Sequence, residues 1–152
     1  MAYKTIFLRN AEFCPREEAV AAEAGIYPGM FLDIDSNGKF ELQDESETVG
    51  PLLVADVDVL QGKTISDAYP VSTQVLARWV GIGAEIYAYV APGHNVAKGA
   101  LLTFAGYESP GALGNAQQSS AQLGTGVHFK ALEAKDNSSA SAAARIRVQR
   151  IR

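Results

Sequence analysis

The chain has 152 residues, 47% of them hydrophobic and 20% charged, with a formal net charge of −4 at neutral pH. That length suits one domain with a real core, and the composition excludes a disordered chain. No apolar run approaches the roughly 18 residues needed to cross a bilayer. The one cysteine, Cys14, excludes an internal disulfide and a cysteine-based zinc finger.

Charge is unevenly placed. Residues 141–152 carry Arg145, Arg147, Arg150 and Arg152 and no acid, leaving nine basic and 17 acidic groups in the first 140. An acidic body with a basic end fits self-association, or a partner of mixed charge, better than nucleic acid. Four arginines also fit a solvated terminal strand. The opening MAYKTIFLRNAEFCPREE lacks an apolar run of signal-peptide length, because Arg9, Asn10 and Glu12 interrupt it. Cytoplasmic synthesis and no membrane partner are expected.

Residues 2–13, AYKTIFLRNAEF, hold β-favouring Tyr3, Thr5, Ile6, Phe7 and Leu8 with no turn and no hairpin mate before residue 14. Such a stretch either reaches out as an arm, pairing with an exposed edge on a partner, or pairs within its own domain. Residues 15–25, PREEAVAAEAG, carry the best helix signal: Pro15 at the start, acids in the first turn and Gly25 at the end. Two or three helical turns are expected there.

The stretch DIDSNGKFELQD, residues 33–44, admits two readings. Asp33, Asp35, Asn37, Gly38 and Asp44 stand at positions 1, 3, 5, 6 and 12 of a calcium-loop pattern. The same residues form a β-hairpin turned at Asn37-Gly38, with Leu32, Ile34, Phe40 and Leu42 on one face. Pro28 and Gly29 would break the helix that an EF-hand needs before position 1. The hairpin is therefore the expected structure, and a calcium site on Asp33, Asp35, Asn37 and Asp44 is the alternative.

Short strands follow, punctuated by glycine and proline. They are expected near 51–60, 73–80, 85–91, 127–134 and 144–151, with the phrase V-x-K-G-x-x-L at 96–102 marking entry into a small barrel. Residues 107–126, YESPGALGNAQQSSAQLGTG, have no hydrophobic period and read as a long surface loop. The expectation is a mainly β protein: residues 1–14 as an extended N-terminal arm, and residues 15–152 as one small β-barrel or β-tulip-like domain with at most one short helix.

Catalytic groupings are sparse. His94 and His128 stand apart from any soft metal ligand, Ser119 and Ser120 lack a nucleophile elbow, and Cys14 has no base beside it. Lys98 lacks the flanking residues of a lipoyl or biotinyl carrier. Asp33/Asp35 and Asp56/Asp58 are spaced as the polar side of a pleat. A non-catalytic protein without a cofactor is expected.

Three stretches, spread over residues 17–151, carry a family resemblance. They are EAVAAEAGIYPGMFLDIDSNGKFEL, then residues 51–106 with LQGKTISDAY at 60–69, and the closing ALEAKDNSSASAAARIRVQRI. In these the chain resembles the small capsid decoration, or cement, proteins of tailed bacteriophages. The resemblance implies a homo-oligomer, a trimer ahead of a dimer, on the outer surface of the expanded virion head. It would bind the major capsid protein of the same phage and stabilise capsomer seams against DNA pressure. Capsid or subunit contacts are then expected on Tyr3, Ile6, Phe7, Leu8 and Arg9 of the arm, and secondarily on the 107–126 loop. A ligand-binding β-domain, taking calcium on the 33–44 hairpin or a glycan on the long loop, is the alternative function.

Overall fold

The computed structural model describes residues 3–44, 52–116 and 129–152. In chain order the strands are β1 (Phe7–Arg9), β2 (Arg16–Val20), β3 (Phe31–Ile34), β4 (Phe40–Leu42), β5 (Leu53–Ala55), β6 (Gln74–Trp79) and β7 (Glu85–Val90). β8 (Asn95–Val96), β9 (Leu101–Phe104), β10 (Leu113–Asn115), β11 (Phe129–Ala131), β12 (Lys135–Asp136) and β13 (Ala144–Arg150) follow. Two short 3-10 turns, Ala11–Phe13 and Val59–Gln61, are the only helical elements among the described residues.

β7, β10, β9, β11 and β13 close into a five-stranded barrel. The closing seam is β7 on β13, from Val90↔Ala144 to Glu85↔Gln149, and β1 is added antiparallel to β7. A second, antiparallel sheet has the order β2-β6-β5-β3-β4, and a bridge between Ala21 and Phe40 draws its two outer strands together at one end. The mainly β barrel expected from the sequence is what the chain forms.

The two cores share a wall. Along β7 the pleat sends Ile86, Ala88 and Val90 inward, where they meet Leu102, Phe104, Leu113, Phe129, Ile146 and Val148. Phe31 and Val54 belong to the other sheet, yet they face this barrel core. Their neighbours Leu32, Leu53 and Ala55 point the other way, into a second core with Ile26, Phe40, Tyr69, Val75 and Ala77. A strand covered on both faces needs apolar residues at consecutive positions, which explains the unbroken run Leu52-Leu53-Val54-Ala55.

Several expectations need correction. Residues 15–25 are not helical: Arg16–Val20 is β2, paired with β6 from Arg16↔Arg78 to Val20↔Gln74. Exposed Arg16 and Glu18 alternate with half-buried Glu17 and Ala19, and the edge of β6 satisfies a period of two that local helix propensity had masked. The expected loop at 107–126 contains β10, whose Leu113 is buried in the barrel; residues 117–126 lie outside the described residues. The hairpin forms, with Leu32↔Leu42, Asp33↔Glu41 and Ile34↔Phe40, but not around a two-residue turn. Asp35 N–H donates to Lys39 O and Gly38 N–H to Asp35 O, so Ser36, Asn37 and Gly38 form the loop. Gly38 alone there takes positive φ, 76°, as three-residue hairpin loops require. Ile34, expected on the buried face, is 37% exposed although Phe40 directly across from it is fully buried.

Candidate functional site

The N-terminal segment is packed on its own domain. Ile6 O accepts from Tyr87 N–H at 2.8 Å, Phe7 pairs with Ile86, and the Ile6 and Phe7 side chains are buried in the barrel core. Tyr3 sets its ring edgewise on Tyr87, with centroids 5.1 Å apart. Leu8 is half-buried, and Arg9 is exposed with Glu85 at 3.8 Å. Of the five residues expected to touch a partner, Ile6 and Phe7 are spent on the fold. Tyr3 and Leu8 show only part of their surface, and Arg9, paired with Glu85, is the one exposed residue of the five.

Beside this segment runs a cleft of about 310 Å³. Its lining takes in Arg16, Glu18 and Leu76 of β2 and β6, Thr5 of the N-terminal segment, and Val59 and Leu60, whose exposure puts them at its rim. Local geometry puts the apolar rim there. Asp58 carboxylate accepts the Gln61 N–H at 3.3 Å, and Gly62, with φ of 71°, ends the turn. The chain has left the sheet after Ala55, so Val59 and Leu60 have no core to enter and stand 68% and 92% exposed. Val59 and Leu60 are adjacent as well as exposed, unlike apolar side chains scattered singly over a surface, which need no explanation. Arg78 and Asp56, also in the lining, form an ion pair at 3.1 Å.

The same turn also borders a hollow of about 180 Å³ with Asp58, Lys63, Asp67 and Tyr69 in its lining. Its polar groups already serve the fold. Asp67 accepts from Thr64 N–H and Oγ1, which hold its carboxyl below the ordinary range. Tyr69 donates to Asp56 O at 2.6 Å, and burial pushes its hydroxyl up to about 12.

In the 33–44 hairpin, Asp35 Oδ1 accepts from Asn37 and Lys39 N–H groups and Asp33 Oδ1 from Ile34 N–H, so these carboxylates fold the turn. Asp44 is exposed beyond β4, and the chain enters position 1 from β3 and not from a helix. No group of three or more His, Cys, Asp and Glu side chains suited to a metal ion stands together among the described residues. Glu41, half-buried between the acids, has its carboxyl raised by desolvation first and then by Asp35, Asp33, Glu23 and Asp44.

Cys14 is buried, with the Gly81 N–H 3.4 Å from its sulfur, and a strand follows it where the sequence suggested a helix N-terminus. His94 accepts the Asn115 N–H on Nδ1 at 3.2 Å; His128 lies outside the described residues. Sequence reasoning missed the cleft. Val59 and Leu60 read as the end of a strand, and the only signal against that was Gln61-Gly62 directly after them. The chain matches no protein-family model, and no curated protein matches it.

Proposed function

We propose that the protein is a non-catalytic decoration protein that binds, as a homo-oligomer, the outside of an expanded bacteriophage head and strengthens its capsomer seams. The observation that carries the reading is the cleft rim: Val59 and Leu60, adjacent and exposed, share one cleft with Arg16, Glu18 and Thr5 of the N-terminal segment. An apolar centre with charged neighbours is the anatomy of a protein-binding patch, and the family resemblance of the sequence supplies the partner, the major capsid protein. Binding through one modest patch per subunit becomes strong when an oligomer engages several sites together.

The test is co-sedimentation with expanded, undecorated heads of the parent phage. Wild-type protein is expected to pellet saturably at a fixed ratio to capsid subunits, and Leu60→Asp to lose at least tenfold in affinity while melting like the wild type. Deleting the N-terminal segment is not a clean variant, because Ile6 and Phe7 belong to the core. A wild-type protein that stays in the supernatant at micromolar concentration overturns the reading, and pelleting indifferent to Leu60→Asp removes the cleft from it.

A further inference from the structure

The open sheet ends in a strand edge whose charges are self-complementary. β2 is its outermost strand. Just outside the β2–β6 ladder, Trp79 N–H donates to Pro15 O at 3.0 Å and Ala21 N–H to Thr73 O at 2.8 Å. Odd-numbered residues of β2 therefore turn their backbone groups toward β6, and Arg16 and Glu18 turn theirs away from it. The seam to β4 closes only farther along, where Ala22 N–H donates to Phe40 O. At Arg16 and Glu18 no other described strand covers the edge. Both side chains are exposed on one face, and neither joins an ion pair among the described residues.

We propose that two copies of the chain join through this edge, β2 running antiparallel to β2 of the second copy across a two-fold axis at Glu17. That register sets Arg16 opposite Glu18 of the second copy, and Glu18 opposite its Arg16. Opposite charges directly across an antiparallel pair attract, and the two-fold repeats the pair. Shifting the strands by two residues instead sets Glu18 against Glu18. Glu17, on the axis, keeps its carboxylate on the other face, where it accepts the Trp79 indole N–H. A two-fold perpendicular to the sheet keeps like faces together, so the Val59–Leu60 rims of both copies lie on one side of a ten-stranded sheet. The inference deepens the homo-oligomer part of the reading above by naming the surface, and it needs no capsid.

Sedimentation equilibrium of the full chain, from micromolar to hundreds of micromolar, tests it. Wild type is expected to form a dimer. Arg16→Glu and Glu18→Arg each place like charges opposite twice and should weaken it by roughly tenfold or more. The double variant restores opposite charges and should recover the dimer. If a reversal fails to fold, Arg16→Gln and Glu18→Gln replace it, with a smaller loss expected. A monomer or a trimer at every concentration overturns the proposal, as does a dimer indifferent to both single changes or not recovered by the double one. Heads that bind a monomeric protein would leave the decoration reading intact, and a dimer that ignores heads would sink that reading alone.

Discussion

The guanidinium of Arg78 lies 5.2 Å from the centroid of the Phe7 ring, stacking a residue of the open sheet on β1, the strand added to the barrel. The same group donates to Asp56 at 3.1 Å and to Ala11 O at 3.3 Å. One side chain therefore fastens residues 7–11 to the open sheet, and its loss also strands a largely buried carboxylate. Arg78→Ala is expected to cost about 2–3 kcal/mol in urea unfolding. Arg78→Lys keeps the charge but not the planar fork and should fall between. An increase in amide exchange confined to residues 5–13 would accompany both, and unchanged stability would remove Arg78 from this role.

Phe31 is the corresponding apolar link. It sits on β3, but its ring meets Phe104 edgewise at 5.1 Å and Phe129 at 5.0 Å inside the barrel. Phe31→Ala should cost about 3–5 kcal/mol, as truncating a buried aromatic does. Because Leu32 and Leu53 anchor the same strands in the other core, the variant should still unfold in one transition by circular dichroism and tryptophan fluorescence. Two separated transitions would mean that the cores are independent.

Much of this fold was legible as strands and turns, because β6, β7 and β13 each bring several β-branched or aromatic residues at a period of two. β2 and β10 were not legible, for different reasons. β2 is written in Glu and Ala, residues that favour a helix in isolation, and only the edge of β6 makes it a strand. β10 is only Leu113–Asn115, and two residues after Leu113 stands Asn115 where a period of two would need a second apolar side chain. At Gly114 a Cβ would stand 2.7 Å from the His94 ring, which would have to move aside. The cleft was hidden because Val59 and Leu60 continue the apolar texture of β5, and only the fold shows that the chain has turned out of the sheet. The N-terminal segment was read as an arm or as a strand, and the distinction lay in Tyr87 and Ile86, some eighty residues away.

The acidic hairpin should make stability depend on pH in a definite direction. Glu41 has its carboxyl raised above 4.5 by desolvation and by Asp35, Asp33, Glu23 and Asp44. Between the ordinary and the raised value the folded chain holds more proton than the unfolded chain, so this group lowers stability as pH rises through that window. Glu41→Gln is therefore expected to raise the melting temperature at pH 7 by a few degrees, with the advantage fading below about pH 4. A variant less stable than wild type at pH 7 would show that the carboxylate serves the hairpin.

Gly29 is where the two sheets share backbone. Its N–H donates to Ala55 O of β5 at 2.9 Å, and its carbonyl accepts from Tyr89 N–H of β7 at 3.3 Å. It does so at a φ of 93°, and a Cβ built there would stand 2.7 Å from Tyr87 O, a backbone atom that cannot swing aside. Gly25 has a similar φ of 87° but open space around the Cβ position. The pair separates two costs. Gly25→Ala should lose only the conformational part, about 1 kcal/mol, whereas Gly29→Ala adds a clash that must push β7 away and should lose about 3 kcal/mol or more. Equal losses in parallel urea titrations would mean that φ alone fixes both glycines. A much larger loss at Gly29 identifies the close approach of Gly29 to β7 as the joint on which the barrel and the open sheet meet.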